Sequence, residues 1–350
     1  AWAFATAGAR APKLFDAIAA EATRRGVLAS FLEPPRENKL AVLLSAFATA
    51  GVPAPRLFRA VAVEEEKDSS SFASIGGGKV VEALACRDLA DVVRAFAALG
   101  AAAPQFFERI AAEGLRRVAE FSSEDLAKMA GALAASGVAA PELFGAIAER
   151  EFLLAPADRA RVAWAMACAG HLDLLLLLLR RRNPGQDDGL DDDAKGRLYL
   201  VALLLRDYDD PPAFDASSLD RLRGAYERNA DQQGDDLLHG EIAALLTQVG
   251  WIHRVRWCTG EGLALHMAQP ESKRAVLVTT DDLRDVVTGD HVPNGATTLK
   301  LRILRRLGWN VAAVSALDWE ACDDAERTHL LMRKLETIDV RIWELMRRIA

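Results

Sequence analysis

The feature that most constrains this fold is a set of residues recurring in register along the first half of the chain. Five short segments begin with a large apolar residue and end four residues later in glycine, at Gly8, Gly51, Gly100, Gly137 and Gly170. In the first four copies, a proline follows the glycine by four residues and a phenylalanine follows it by seven. These are Pro12, Pro55, Pro104, Pro141, Phe15, Phe58, Phe107 and Phe144. Such a register indicates an internal repeat.

Each copy predicts two helices joined by a short turn. The first helix is rich in alanine and ends at glycine, which adopts the left-handed conformation without a side-chain clash. Proline begins the second helix, where its fixed φ fits and its missing N–H is not needed. Apolar residues such as Leu14, Phe15 and Ile18 then recur at helical spacing. Because one hairpin cannot bury its apolar face alone, the sequence predicts an α-helical repeat solenoid built from helical hairpins.

The second copy carries an insert, Glu64 to Lys79, that contains serine and glycine runs. Its Gly-Gly-Gly-Lys ending resembles a phosphate loop only superficially. Val80 follows the lysine where Ser or Thr is required, and Ala73 stands in place of the first glycine. We expect a plain loop.

The net charge of −7 at first argues against nucleic acid, but it is distributed unevenly. Residues 183–250 hold 6 Lys/Arg and 15 Asp/Glu, which gives −9, whereas residues 1–182 and 251–350 each sum to +1. A near-neutral surface can still carry a local basic stripe able to contact phosphates.

The cysteines, histidines and apolar runs exclude further classes of protein. The four cysteines are far apart in sequence, and no histidine lies at ligand spacing, so we expect reduced thiols and neither a zinc site nor any other metal or cofactor. The longest apolar run, Leu174–Leu179, is flanked by Asp173 and Arg180 and is too short to cross a bilayer. No targeting segment is visible, and we expect no association with a membrane.

The pattern changes along the second half of the chain. Residues 183–250 predict an acidic helical linker, and residues 251–350 predict an α/β domain with a C-terminal helix. The helices of the linker are expected near Leu198–Arg206, Leu219–Tyr226 and Leu237–Val249. The α/β domain is expected to hold strands at Val255–Trp257, Leu263–Met267, Ala275–Val278 and Val311–Val314, and helices at Thr298–Leu307 and Asp324–Ile349.

Two resemblances refine this interpretation. The repeats of residues 1–170 resemble octotricopeptide repeats, which carry an Ala-rich helix ending in Gly followed by Pro-x-Leu-Phe-x-Ala-Ile. The C-terminal part resembles a RAP domain, through Gly295-Ala-Thr-Thr-Leu-Lys300, Leu307-Gly-Trp309 and Asp318-Trp-Glu320. The RAP resemblance implies a small endonuclease-like α/β fold. Together they imply a chloroplast or mitochondrial protein that binds RNA in RNA processing, stability or translation.

We expect no catalysis from this domain. RAP domains often carry Asp on one strand and Glu-x-Asp on the next, and His266, Leu277 and Thr279 occupy those positions here. Two oxygen donors are needed to hold Mg²⁺. Glu241 on the preceding helix and Asp281-Asp282 beyond the strand do not supply that pair. A metal-dependent RNA endonuclease remains one alternative.

The predicted ligand is single-stranded RNA, held by cations and a stacking ring. Three arginine groups each follow a second helix, where they would either track phosphates or complement the helix dipole. A further basic cluster lies on the Thr298–Leu307 helix, with Trp319 as a stacking surface and Trp309 as a core residue. The predicted RNA-binding residues are Arg24, Arg25, Arg116, Arg117, Arg180, Arg181, Lys300, Arg302, Arg305, Arg306 and Trp319. The other alternative is a protein-interaction scaffold, which the acidic segment favours.

Overall fold

The computed structural model describes residues 2–6, 11–23, 39–63, 78–180, 189–208, 214–230, 237–280 and 282–339. The protein is mostly helical and has a small sheet towards the C-terminus. It divides into two compact units. Unit 1 comprises Ala1–Arg182 and Leu283–Gly295, and unit 2 comprises Asn183–Asp282 and Ala296–Ala350.

Unit 1 contains paired helices in the order that the repeats predict. The first helices of the pairs are α1 (Trp2–Thr6), α3 (Lys39–Ala50), α6 (Cys86–Ala98), α8 (Ser123–Ala135) and α10 (Pro156–Ala169). The second helices are α2 (Pro12–Ala22), α4 (Pro55–Val63), α7 (Pro104–Arg116), α9 (Pro141–Glu149) and α11 (Leu172–Leu179). A short helix, α5 (Gly78–Ala83), precedes the third pair. The rest of the predicted insert, residues 64–77, lies outside the described residues, and Lys79 belongs to α5 rather than to the expected loop.

The helices of unit 1 pack in two layers. The first helices contact one another in sequence order, α1 with α3, then α6, α8 and α10. In the second layer α2 contacts α4, and α7, α9 and α11 contact one another in order. Each hairpin therefore covers the apolar face of the one before it, which is the packing that a helical repeat requires.

Four of the five recurring glycines end first helices as predicted, and Gly8 lies outside the described residues. Gly51, Gly100, Gly137 and Gly170 have φ between +61° and +85°. After three of them, the next residue donates its N–H back to the carbonyl of the large apolar residue that begins the segment. These bonds join Val52 to Phe47 (3.1 Å), Val138 to Leu133 (2.9 Å) and His171 to Met166 (2.9 Å). The four-residue spacing between the large apolar residue and the glycine therefore reflects one hydrogen-bonded geometry that ends each of these helices.

The recurring phenylalanines fill the space between hairpins. Phe15, Phe58, Phe107 and Phe144 are each at most 1% exposed. Phe15 meets Phe47 of the next hairpin edge to face, with 5.0 Å between ring centroids. Burial of each ring stabilises the fold by roughly 1.5–3 kcal/mol.

Unit 1 also contains a segment from far along the chain. Strand β1 (Ala101–Ala102) pairs in parallel with β5 (Leu283–Asp285), which pairs antiparallel with β6 (His291–Val292). The N–H of Arg284 donates to the carbonyl of Gly100 at 2.6 Å. Gly295 ends this segment so close to α8 that an added Cβ would lie 2.0 Å from the carbonyl oxygen of Ala134. This sheet was not predicted from the sequence.

Unit 2 begins with three helices, α12 (Asp192–Leu205), α13 (Ala216–Ala230) and α14 (Leu237–Gln248). Helix α12 begins six residues before its predicted start, because the Asp191 carboxylate caps it by accepting the Ala194 N–H at 2.7 Å. Gly250, with φ of +80°, closes the turn directly after α14, at the position predicted for the end of this helix.

The predicted strands form one mixed sheet in the order β2-β3-β4-β7. Its strands are β2 (Arg254–Cys258), β3 (Ala264–Gln269), β4 (Arg274–Thr279) and β7 (Asn310–Ser315). Strands β2, β3 and β4 pair antiparallel, and β7 runs parallel to β4 after helix α15 (Gly295–Arg306). Helices α16 (Ala316–Ala321) and α17 (Asp324–Glu336) then pack on β7. Residues of α14, β3, β4, β7, α16 and α17 form one buried apolar cluster.

The predicted helix Asp324–Ile349 stops early within the described residues, and its last ten residues, 340–349, lie outside them. Helix α17 ends at Glu336, where the Thr337 hydroxyl donates to the carbonyl of Lys334 at 2.6 Å. Asp339 then accepts a hydrogen bond from Arg274 at 2.6 Å, which draws the chain towards β4. In the described part of the chain, no helix combines the length and apolar character needed to span a bilayer.

Candidate nucleic-acid interface

The arginines predicted to contact RNA along the repeats fall into two groups. Arg24, Arg25 and Arg181 lie outside the described residues. Arg116, Arg117 and Arg180 are described, and all three lie at the C-terminal ends of second helices.

Arg116 is the more exposed of the two arginines that end α7. Its side chain is 66% exposed and donates two hydrogen bonds to the Glu113 carboxylate, at 2.8 and 2.6 Å. These hydrogen bonds lower the pKa of Glu113. The Glu113 carboxylate therefore competes with any phosphate for Arg116.

Arg117 is held inside unit 1. Its side chain is 13% exposed and donates to the carbonyl of Leu84 at 2.8 Å and to Glu120 at 3.0 Å. It also contacts the Sγ of Cys86 at 3.1 Å. These bonds tie the end of α7 to the turn before α6, so the geometry gives Arg117 a role in packing.

Arg150 stands at the equivalent end of α9, although sequence reasoning did not select it. It is the C-cap residue of α9, as Arg117 is of α7 and Arg180 is of α11. The signal was present, because each arginine directly follows a second helix. It was hidden because those helices have 13, 9 and 8 residues, so the distance from the glycine varies.

The four basic residues predicted on α15 do not share one environment. Arg305 is exposed, and Arg302 is partly buried. Arg306 donates to the carbonyl of Leu204 at 2.6 Å and lies over the Tyr208 ring at 5.1 Å. Lys300 is partly buried, and its burial lowers the pKa of its ammonium group.

Trp319, the predicted stacking surface, lies in the core of unit 2. It is 2% exposed, and its indole N–H donates to the Glu241 carboxylate at 3.3 Å. The Arg327 guanidinium lies 5.5 Å from its ring. Trp309 is 6% exposed, in keeping with its predicted core position.

The nuclease positions chosen from the sequence do come together in the sheet. Met267 pairs with Val276, which sets His266 beside Leu277, and the Val278 N–H donates to Nδ1 of His266 at 2.8 Å. The Thr279 hydroxyl donates to Asp282 at 2.6 Å. Asp281 lies outside the described residues. Across the described ranges, no three His, Cys, Asp or Glu side chains are grouped as a metal site requires.

His266 instead belongs to a cluster that sequence reasoning missed. Its ring centroid lies 4.2 Å from that of His239 on α14. His253, just before strand β2, stacks on Trp251 instead, with 5.5 Å between ring centroids. Burial lowers the pKa of His266 to about 3, and the nearby groups Lys300 and His239 lower it as well.

The edge strand β2 and the two residues before it form an exposed surface that was not predicted. Ile252 is 85% exposed and Val255 is 59% exposed. The Arg254 guanidinium lies 5.0 Å from the Trp257 ring and pairs with Glu271 at 2.6 Å. An exposed strand that combines arginine with an aromatic ring is suited to contacting single-stranded RNA.

Comparison with known proteins is consistent with the C-terminal resemblance. Residues 286–334 match the family model described as the RAP domain. The match covers the end of the unit 1 segment, α15, β7, α16 and most of α17. No curated protein matches the chain. The RAP domain is generally associated with RNA binding.

Proposed function

We propose that this chain binds single-stranded RNA through its helical hairpins together with its RAP domain, without catalysis. The observation that carries the proposal is the RAP match at residues 286–334, joined in one chain to two layers of stacked hairpins. The hairpins would form an octotricopeptide-like solenoid. Polar side chains on its first helices would read bases, while arginines would fix phosphates.

The arginines at the ends of second helices support the electrostatic part of this proposal. Helices α7, α9 and α11 are successive members of one layer. In a repeat array, equivalent ends lie along one edge. Arg116, Arg150 and Arg180 would then form a line, and Arg24, Arg25 and Arg181 stay predicted as phosphate contacts from the sequence. Such a line suits a polyanionic strand.

We propose that the protein acts in the chloroplast or mitochondrion, in RNA processing, stability or translation, and the family resemblance supports this proposal. Fractionation of cells that express the native gene, with detection of the endogenous protein, tests this placement. Recovery of the protein in the cytosolic fraction alone would contradict it.

The direct test is a binding titration of the full chain with single-stranded RNA at several salt concentrations. Affinity should fall steeply as salt rises, because displaced counterions drive phosphate binding. Absence of binding at roughly 50–100 mM salt, where phosphate contacts are strong, would end the proposal. A matched single-stranded DNA separates contacts to the 2′-hydroxyl from contacts to the phosphates.

A protein-interaction scaffold is the second candidate, and two exposed apolar residues favour it. Phe152 is 71% exposed and Leu153 is 53% exposed, on the turn that follows α9. Affinity purification after nuclease treatment distinguishes the two functions. A partner that survives the treatment and is lost in Phe152→Ser would support the scaffold.

A metal-dependent RNA endonuclease is the third candidate. It would need Glu241, the acid on α14, whose carboxylate accepts a hydrogen bond from Trp319. RNA cleavage that requires Mg²⁺ and is lost in Glu241→Gln would establish it.

A further inference from the structure

Two histidines of unit 2 are in ring contact, and a lysine from a third element acts on one of them by its charge. His239 is on α14, His266 is on β3 and Lys300 is on α15. The two histidine rings meet at 4.2 Å with 56° between their planes. Lys300 is near enough for its charge to act on the titration of His266.

The hydrogen bonds of the two rings leave one buried ring nitrogen without a partner among the described residues. Nδ1 of His266 accepts the Val278 N–H, so the neutral ring carries its proton on Nε2. Nε2 of His239 is buried and, in the described part of the chain, has no hydrogen-bond partner. A buried polar atom without a partner costs free energy unless a ligand or water satisfies it.

Among the described residues, the groups whose charge acts on His266 and on Lys300 are basic groups and a thiol. Lys300 and His239 are the groups whose charge acts on His266, and Cys258 is the group whose charge acts on Lys300. Glu241, two residues beyond His239 on the same helix, is bonded to Trp319. Burial raises the free energy of a charged basic group, and an anion bound beside the group would offset that cost.

The cluster remains in contact with solvent. His239, His266 and Lys300 each keep part of their surface accessible, although Nε2 of His239 is buried. An anion that approaches from solvent could therefore accept hydrogen bonds from the ammonium group and from the ring N–H groups. Hydrogen bonds of this charge-assisted kind are shorter and stronger than neutral ones.

We propose that His239, His266 and Lys300 form a phosphate-binding site. This inference rests on the proposed function, because it assigns the site to a phosphate group of the bound RNA. That group is either a backbone diester or the terminal monoester at a 5′ end. Phosphate offers several acceptor oxygens around one centre, so one phosphate group could accept hydrogen bonds from a helix, a strand and a second helix.

The first experiment uses the full chain with histidine labelled at its ring nitrogens and inorganic phosphate as the probe. Phosphate should shift the ring ¹⁵N signals of His239 and His266 but not those of His171 in unit 1. Lys300→Gln should weaken the phosphate affinity on the order of tenfold or more, the effect of losing one charge-assisted hydrogen bond. The matched control is Lys334→Gln on α17, which should leave the affinity unchanged.

The second experiment separates the two sources of phosphate. One oligoribonucleotide is compared with a 5′-phosphate and with a 5′-hydroxyl. A preference for the 5′-phosphate that disappears in Lys300→Gln assigns the site to the RNA terminus. Equal binding of both RNAs, with equal loss in Lys300→Gln, assigns it to the backbone.

Two results would overturn the inference. One is that phosphate leaves both ring signals unchanged in the wild-type chain. The other is that Lys300→Gln and His239→Phe bind phosphate as the wild type does, after thermal unfolding has shown that both variants are folded. RNA binding that persists in either case would leave the proposed function intact. Phosphate binding at the cluster without any RNA binding would support the site and contradict the proposed function.

Discussion

The ring of Phe58 on α4 meets the ring of Phe96 on α6 edge to face, with 4.6 Å between their centroids. Phe58 lies seven residues after one repeat glycine, and Phe96 lies four residues before the next. The same relationship joins Phe15 to Phe47 one hairpin earlier. The two phenylalanine positions of the repeat are therefore partners across the junction between hairpins.

Phe58→Ala should destabilise unit 1 by about 3–5 kcal/mol, because it removes a buried ring and leaves a cavity between hairpins. Phe152→Ala is the matched control. Its ring is 71% exposed, so the change should stay within about 0.5 kcal/mol. Denaturant unfolding followed by circular dichroism measures both. Similar effects of the two substitutions would refute the packing role of Phe58.

Gly295→Ala should destabilise unit 1 by about 1–3 kcal/mol, because its new methyl group would overlap the carbonyl of Ala134, and backbone cannot move aside cheaply. Gly145→Ala within α9 is the control, since nothing lies within 4 Å of its added Cβ. That variant should be neutral or up to about 1 kcal/mol more stable, because alanine favours helices over glycine. Thermal unfolding of the two variants side by side provides the comparison. A Gly295→Ala protein as stable as the wild type would show that the close approach has no energetic weight.

Substitutions of Arg116 and Arg117 should have different effects, one on RNA binding and the other on stability. Arg117→Met should destabilise the protein by about 1–3 kcal/mol, because the Leu84 carbonyl and the Glu113 carboxylate lose a buried donor. Arg116→Gln should change stability by less than about 1 kcal/mol, because the Arg116 side chain is exposed and Arg117 still donates to the buried Glu113 carboxylate. If the proposed RNA binding holds, Arg116→Gln should also reduce the slope of log affinity against log salt by about 0.7. An unchanged slope would remove Arg116 from the RNA contact.

The buried imidazole of His266 should make the protein sensitive to acid. The pKa of His266 is about 3 in the folded protein, against an ordinary value of 6.5. The unfolded chain therefore binds the proton more readily, and stability falls as the pH drops below about 6.5 and levels off near 3. Between about pH 7 and pH 5 the loss attributable to His266 should be about 1–2 kcal/mol.

Denaturant unfolding across that pH range measures the loss, and His266→Gln should flatten the curve. The control is His253→Gln, also in unit 2. This variant should keep the wild-type dependence of stability on pH. A wild-type slope in His266→Gln would show that another group dominates the acid response.

Short sequence patterns predicted the helical hairpins and the strands, because both kinds of structure depend on residues that are close in the sequence. Glycine ends a helix through bonds that span a few residues, and Gly137 illustrates this with its adjacent Val138 bonded to Leu133. The four strands of unit 2 follow the apolar runs that the sequence offers, within two residues at each end.

Pairings between distant residues could not be predicted in this way. Strand β1 has two residues and β5 has three, too few to show an alternating pattern. The contact of His239 with His266 joins a helix to a strand 27 positions later in the sequence, and neither residue lies in a motif. The burial of Arg117 beside an exposed Arg116 depends on the turn before α6, which the spacing of α7 does not reveal.

The assignment of Leu283–Gly295 to unit 1 has a consequence for how this protein can be divided. The backbone passes between the units at residue 182, at residue 282 and again at residue 295. Severing the chain at any one of these junctions leaves at least one unit missing part of its own sequence. A gene rearrangement that moved the RAP-matching residues elsewhere would carry away a piece of the hairpin stack, so the two parts can be exchanged only together or after that piece is replaced.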